Sequence, residues 1–424
     1  MAISPKTSKQ YTHILNSELQ LALGCTEPIA LAYAAACARD VLGRAPERYE
    51  AYCSGNIIKN VKAVVVPQTG GLKGIEAAVL AGGIGGDAQA QLQVLERLTD
   101  EDRAQIRAQR DRGAVEVKLL ESEHALHIIV RAFAGEDEAS VEIVDSHTGI
   151  GRVTRNGRTI REGAAAEEEA REAEYESLNI AEILQYADSV DLDQVRNCLQ
   201  RQIACNQAIA SEGLQNVYGA GIGPLLMETA GENLRERAKA AAAAGSDARM
   251  NGCALPVVIN SGSGNQGITV CMPILVYAQA LGVSEETLLR ALCVGNLVAI
   301  HQKAGIGKLS AFCGVTCAAA GAVAGIAYMK KEPYEVIAQL ISNALATVGG
   351  MVCDGAKSSC AGKIAIALDC AFTAYEAARR SRSYKGGEGI VKRDVEKTIQ
   401  SVGRMAAKGM HSTDREILNI MLED

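Results

Sequence analysis

The run Cys313–Met329, "CGVTCAAAGAVAGIAYM", limits what this chain can fold into more than any other stretch. It is about the minimum length for a membrane span. Ala and Gly dominate it, however, and such small side chains suit close helix packing inside a protein better than contact with lipid. A helix that is apolar all round has to be covered by neighbours on every side. The prediction is a buried helix.

The chain has 424 residues, too many for one ordinary core, so two domains are expected. It has no Trp and only three Phe, which leaves few rings for stacking nucleobases. The formal net charge is -7, and no basic cluster is dense enough for a phosphate backbone. Nucleic acid is therefore not an expected partner, and the acidity reads as solubility. The N-terminal "MAISPKTSKQYTHILNSEL" lacks the apolar segment of a secretory signal. The expectation is a cytoplasmic protein with no membrane partner and with reduced thiols. Thirteen cysteines, an odd number, also rule out complete internal pairing.

Three textures follow one another. Residues 9–42 read as helix broken at "GCTEP", with Pro28 in the first turn of the second piece and Thr26 or Glu27 serving its open amides. Cys25 then precedes a helix N-terminus, where a thiolate is stabilised. From 48 to 150 the pattern is α/β. "RYEAYCSG", "VKAVVVP", "AVEVKLL", "ALHIIVRAF" and "ASVEIVDSH" read as strands, with "GGLKGIEAAVLAGGIGG" and "QAQLQVLERLTDEDRAQIRAQR" as helices between them. Residues 161–177 are charged and Ala-rich, a solvated helix or linker where the boundary is expected. Nearly everything afterwards is helical, and "IVKRDVEKTIQSVGRMAAKGM" is expected to close the chain. The first 45 residues resemble the helical half. The expected fold is α+β: a helical body of 1–45 and 178–424, with residues 46–177 inserted as an α/β domain plus linker. That topology brings Cys25 near the C-terminal cysteines.

Six cysteines fall at loops or helix ends: Cys25, Cys253, Cys313, Cys317, Cys353 and Cys360. The other seven (Cys37, Cys53, Cys198, Cys205, Cys271, Cys293, Cys370) lie on apolar faces or in strands and read as small buried hydrophobes. For Cys313, Cys353 and Cys360, plain packing stands beside two metal readings. Zinc prefers four closely paired ligands, often with His, and no His lies nearby. A set of thiolates without imidazole favours iron–sulfur chemistry. Three ligands on a four-iron cluster would leave one iron open as a Lewis acid. A second signal is "VINSGSGNQG". Its glycines let backbone amides turn toward an anion, and Asn and Ser add donors, so a carboxylate suits it as well as a plain turn does. "CSGNIIKN" repeats Ser-Gly-Asn and adds Lys59 and Asn60. His147, in "DSHTGIG", reads as a base, a ligand or a polar turn residue.

Five separated motifs, "ELQLALGCTEPIALAYAAA", "SGNIIKNVKAVVVPQTGGLKG", "NSGSGNQG", "GKLSAFCGVTCAAAGA" and "MVCDGAKSSCA", together resemble the L-cysteine desulfidase family, related to iron–sulfur L-serine dehydratases. The resemblance runs nearly end to end. It implies a [4Fe-4S] cluster, no pyridoxal phosphate, and conversion of L-cysteine to pyruvate, ammonia and sulfide. It implies Cys313, Cys353 and Cys360 as cluster ligands, although the dehydratases space the second piece more widely. It matches Cys25 to the essential N-terminal cysteine, which we assign as the proton-transfer group beside the substrate. The substrate would bind at Asn56, Asn60, Ser261, Ser263, Gly264 and Asn265. The alternatives are an L-serine dehydratase on the same cluster, a pyridoxal-phosphate lyase and an iron–sulfur sensor. The lyase needs a Schiff-base lysine, and the nearest upstream, Lys239, reads as solvated. The expected partner is a small amino-acid substrate, with homo-oligomerisation left open.

Overall fold

In the computed structural model, which describes residues 3–163, 174–307 and 309–423, the break at "GCTEP" is real and pinned from outside. Helix α1 (Pro5–Glu18) is capped by Ser4, whose side chain accepts from the Thr7 amide at 3.1 Å. The chain then extends as β1 (Leu21–Leu23), turns at Gly24 with φ 64°, and enters α2 (Thr26–Leu42) with Cys25 as N-cap. Gly43, left-handed, ends α2.

The α/β segment starts with β2 (Arg48–Cys53), whose burial alternates because one face is covered. "GNIIKN" falls in a short helix, α3 (Gly55–Val61). "VKAVVVP" is not a strand. Its valines end α3 and pack Val64 and Val66 around a tight turn through Gln68, φ 62°. Helix α4 (Ile75–Gly85) follows, and then α5 (Asp100–Asp111), which begins only at the Thr99–Asp102 capping box. Strands β3 (Val115–Leu119), β4 (His127–Ala134), β5 (Asp137–Val144), β6 (Ile150–Arg155) and β7 (Arg158–Glu162) complete a sheet of order β3-β2-β4-β5-β6-β7. Only β2 and β3 pair in parallel. Of the charged segment 161–177, residues 164–173 lie outside the described residues.

The helical part comprises α6 (Ile180–Ser189), α7 (Arg196–Gln215), α8 (Ile222–Ala230), α9 (Leu234–Met250), α10 (Gly264–Leu281), α11 (Glu285–Ala304), α12 (Val315–Met329), α13 (Tyr334–Val348), α14 (Cys360–Arg379), α15 (Val395–Arg404) and α16 (His411–Glu423), with β8 (Pro256–Val258) between α9 and α10. Antiparallel pairing of β8 with β1 ties the N-terminal segment to this half. As predicted, α12 is buried almost throughout. It approaches α11 at backbone distance: a Cβ on Gly321 would lie 2.5 Å from the Gly295 carbonyl oxygen. No helix among the described residues is long and apolar enough to cross a membrane. Helix α16 follows the expected last helix and was not foreseen.

Two large apolar cores result, and the fold is α+β as the composition of its segments predicts. One core gathers α1 with the later helices. The other joins α2 and α4 to the sheet. Here the expectation that all of 1–45 packs with the helical body needs correction. Helix α1 does so, whereas α2 covers the sheet. The reason is steric. A Cβ on Gly82 of α4 would lie 1.9 Å from the Ala32 carbonyl oxygen, so α2 and α4 meet backbone to backbone. Only the N-terminal end of α2 reaches the other half, and that end carries Cys25.

Candidate active site where the two cores meet

The thiols come together through backbone geometry. Phe312 and Val352 form an isolated antiparallel bridge. The Cys313 amide donates to the Met351 carbonyl at 3.0 Å and the Cys353 amide to the Ala311 carbonyl at 2.6 Å. Cys313 and Cys353 therefore flank one bridge and share the face opposite Phe312 and Val352. The loop after Cys353 returns to Cys360, the first residue of α14. It does so by pressing Gly355 (φ 92°) onto α3, where a Cβ would lie 2.3 Å from the Lys59 carbonyl oxygen. Cys25 packs with Val64 and Met250, and Ala356 and Cys360 lie against that cluster. The four cysteines singled out for chemistry thus converge. Cys253 and Cys317 are buried, the latter inside α12, as are Cys53, Cys198, Cys271 and Cys293.

Burial raises the Cys313 thiol to about 12, assisted by Cys353 and Cys360. It raises Cys360 as well, with the Lys357 amide pulling the other way. Cys25 is also pushed up to about 12 by burial, which outweighs the pull of Arg249. Desolvation at Cys25 thus opposes the helix N-terminus expected to favour its thiolate. Lys303 and Lys363 stand where they interact with Cys313 and Cys353. Burial lowers Lys303. Among the described residues, no three His, Cys, Asp or Glu side chains are gathered tightly enough for one metal ion. A four-iron cluster asks for something different, since each thiolate holds its own iron. The donor set fits such a group: three thiols, no imidazole, two flanking lysines to offset thiolate charge.

A polar wall faces the thiols. Thr26 of α2 donates to the Gly262 carbonyl at 2.9 Å. Glu27 Oε1 accepts from Asn60 Nδ2 at 3.1 Å and stands 3.9 Å from His147 Nε2. Burial pushes the Glu27 carboxyl up, but His147 and Arg249 outweigh it and hold it below the usual range. Arg249, buried at the end of α9, donates to the Gly24 carbonyl and to Asn265 Oδ1, each at 3.1 Å. The "SGSGNQG" turn is built by left-handed Ser261 and Gly262 and opens α10 at Ser263 and Gly264. A Cβ on Gly262 would meet the His147 ring at 3.2 Å, and one on Gly264 would strike Arg249 at 2.3 Å. His147 Nε2, Asn56 Oδ1, Asn60 Oδ1 and Gln266 Oε1 are buried without a hydrogen bond.

Ser261, Ser263, Gly264, Asn265 and Asn60 therefore gather around Glu27, Arg249 and His147. Asn56 points elsewhere on α3 and donates to Asp414 Oδ2 at 2.6 Å. The cleft, of about 910 Å³, is lined by Asn56, Ser261, Lys303, Ala311 and Asp414 among others. Lys239, expected to be solvated, is nearly buried between Asp369 (2.9 Å) and Glu236 (2.8 Å).

Residues 89–419 match the serine dehydratase alpha-chain family. The chain belongs to that family. The serine dehydratase match contains Cys313, Cys353, Cys360, Arg249 and the "SGSGNQG" turn, and it begins after Cys25, Glu27 and α3. A UPF0597 protein of Lachnoclostridium phytofermentans is 50% identical over 414 residues, covering 98% of this chain and 99% of that one. One from Finegoldia magna is 48% identical over 416 residues, 98% of this chain and 100% of its own. One from Treponema denticola is 43% identical over the whole of both. These relatives span both cores and every residue of the site.

Sequence reasoning missed Glu27 as a site residue, and Arg249 and Asp414 as parts of its surroundings. An acid in the first turn of a helix reads as a dipole partner, and an arginine at the end of an Ala-rich helix as a solvated terminus. Only the approach of α10 to α9 turns Arg249 inward.

Proposed function

We propose that this chain is an iron–sulfur lyase that eliminates sulfide from L-cysteine, with pyruvate and ammonia as final products. The observation that carries the reading is the convergence of Cys313, Cys353 and Cys360 opposite a wall of anion-binding and proton-accepting groups. Those three thiolates would hold a [4Fe-4S] cluster, as the resemblance to serine dehydratases implies. When bound, the cluster supplies a Lewis-acid site for the departing sulfur.

The chain's own residues do the rest. The amides of the "SGSGNQG" turn and Asn265 receive an anionic group, with Arg249 fixing the amide of Asn265. His147 takes the Cα proton at Nε2, and Glu27, 3.9 Å from that nitrogen, steadies the charge the ring gains. Burial disfavours a Cys25 thiolate, and in this reading the base role expected of Cys25 falls to His147. Cys25 forms the wall between Cys360 and Met250. Lys303 and Lys363 balance the thiolates. Loss of the proton and of sulfide leaves aminoacrylate, which tautomerises and takes up water to give pyruvate and ammonia.

L-Serine dehydration is the second reading, and the serine dehydratase family match favours it. Both follow from one experiment on anaerobically prepared protein. Sulfide release is measured with L-cysteine and pyruvate formation with L-serine, alongside iron analysis. Sulfide release with iron present supports the first reading. Pyruvate from serine alone supports the second, and iron-free activity removes both.

A further inference from the structure

The turn that opens α10 is held from behind by a chain of buried amides. Asn260 and Ser263 exchange backbone hydrogen bonds at 3.1 and 3.0 Å, and Ser261 and Gly262 make the turn between them at φ 49° and 76°. Serine is uncommon in that left-handed region, where Gly, Asn or Asp fits with less strain. Gln202 of α7, Asn296 of α11 and Asn260 are fully buried. Gln202 and Asn296 pair amide to amide: Gln202 Nε2 donates to Asn296 Oδ1 at 2.9 Å, and Asn296 Nδ2 to Gln202 Oε1 at 2.8 Å. Asn260 Nδ2 donates to Asn296 Oδ1 at 3.0 Å and to the Asn296 carbonyl at 3.3 Å. Ser261 Oγ ends the chain, donating to Asn260 Oδ1 at 2.8 Å.

The direction of every bond in this chain is fixed by its far end. Asn296 Nδ2 also donates to the Leu292 carbonyl at 2.9 Å. A backbone carbonyl only accepts. Leu292 therefore decides which end of the Asn296 amide is nitrogen, and the Asn296 carbonyl decides the same for Asn260. Asn260 must then turn its oxygen toward Ser261, whose one proton is spent on it. Two lone pairs are left on a hydroxyl that lines the cleft. Ser261, expected to add a donor to the turn, is an acceptor.

We propose that Ser261 receives the α-ammonium group of the substrate, and that Asn260, Asn296 and Gln202 are positioning residues that keep its hydroxyl an acceptor. The substrate class that follows is an α-amino acid with a free amino group. The proposal rests on the lyase reading for the carboxylate, which the amides of the same turn receive. In an α-amino acid the two groups share one carbon, so a carboxylate on the amides brings the ammonium beside the hydroxyl. A serine free to rotate could donate to the carboxylate instead, and would then not tell an amino acid from the same acid without its amino group. The buried chain removes that choice, because a fully satisfied polar network rigidifies its members. The bond from an ammonium is also charge-assisted, which makes it among the stronger ones.

The test uses full-length, anaerobically prepared protein with L-alanine and propionate, which lack a β-leaving group and differ only in the ammonium. Calorimetry should show the parent binding L-alanine about ten- to a hundredfold tighter, the range for a hydrogen bond to a charged group. Ser261→Gly should lose that preference and keep its affinity for propionate. Glycine suits φ 49°, so this variant should fold. Asn260→Ala should lose the preference too, because it frees the Ser261 proton. Asn260→Asp separates positioning from packing. Protonated in so buried a place, it still offers Ser261 a carbonyl and Asn296 a proton, and it should restore most of the preference. Thermal melts identify any variant that does not fold. A parent that binds both ligands equally, or neither, overturns the proposal. So does a preference that survives in Ser261→Gly, and one that survives in Asn260→Ala removes the positioning chain. Sulfide and pyruvate assays are scored separately. An inactive chain with these preferences keeps the ammonium site and loses the lyase reading, and an active chain whose Ser261→Gly variant still prefers L-alanine does the reverse.

Discussion

Glu27 Oε1 stands 3.9 Å from His147 Nε2, although the two residues lie at the start of α2 and in the loop after β5. The same oxygen is bonded by Asn60 at 3.1 Å. Helix α2 and the sheet therefore deliver an acid and an imidazole to one point, a few ångströms from the turn that opens α10.

If this pair moves the proton, its members act as a unit. His147→Asn should lower kcat about a hundred- to ten-thousandfold, the usual range for a positioned general base. Glu27→Gln should lower it about ten- to a hundredfold by removing the charge that steadies the protonated ring. The double variant should be little worse than His147→Asn alone, because groups that act together are strongly non-additive. Fully additive losses would separate the two roles.

Much of this was legible in the sequence, and the failures have physical causes. The Ala and Gly of α12 announce a helix covered on all sides, and β2, β4 and β5 show their alternation. "VKAVVVP" has the β-branched content of a strand but spends it on a tight turn, with Gly252 packed against Val65 and Gly24 against Pro67 from other segments. The cysteines were readable because glycine and small residues surround them. Asp414 was not, because nothing local distinguishes it from any acid in the first turn of an exposed helix. Its partner, Lys59, is more than three hundred residues away in sequence.

The metal assignment predicts about four irons and four labile sulfides per chain, the stoichiometry of the cluster type. Cys313→Ala, Cys353→Ala and Cys360→Ala should each lose most of the iron. Cys370→Ala is the control: its thiol points at the Ala344 carbonyl within α14 and α13, away from the trio. Retention of iron by any of the three ligand variants removes that residue from the set.

The loop that carries Cys353 to Cys360 depends on one glycine. Gly355→Ala places a methyl 2.3 Å from the Lys59 carbonyl oxygen at φ 92°, a region side chains rarely occupy. Strain of this kind costs about 1–3 kcal/mol. Gly350→Ala meets nothing within 4 Å and should be neutral. Calorimetric melting should show a lower Tm for the first and none for the second. Equal melting of both would mean that the loop lifts from α3 at little cost.

Asp247 offers a pH signature away from the thiols. Its Oδ2 accepts from the Gly223 amide at 2.8 Å, while Oδ1 is buried without a partner. Burial raises its carboxyl to about 6, despite amides that pull it down. The folded state then binds the proton more tightly than the unfolded chain. The contribution is fully present below about pH 4 and is lost as pH rises through about 6, with a slope of at most about 1.4 kcal/mol per pH unit. Asp247→Asn keeps an acceptor for the α8 amides and removes the titration. Urea midpoints between pH 4 and 7 should fall with pH more steeply in the parent than in the variant, and parallel curves would refute the assignment.

Cys25 is where sequence and structure disagree most sharply. A cysteine before a helix N-terminus reads as a thiolate, and the dipole does act in that direction. But the thiol is 1% exposed, its nearest polar contact is the Met250 sulfur at 3.9 Å, and burial pushes it to about 12. In the metal-free chain it should therefore alkylate slowly at pH 8, well behind the partly exposed Cys37 and Cys205, as peptide mass spectrometry can score. Rapid labelling would restore the thiolate. If the other three thiols hold the iron, Cys25→Ala should keep the iron content and resting spectrum. It should still slow sulfide release by about tenfold or more, because its removal opens a gap between Cys360 and Met250 and misplacement at a reacting centre is severe in its effect. An altered resting spectrum makes Cys25 a fourth ligand, and a near-parental rate with intact iron removes it from the mechanism, leaving Glu27 and His147 to account for proton transfer alone.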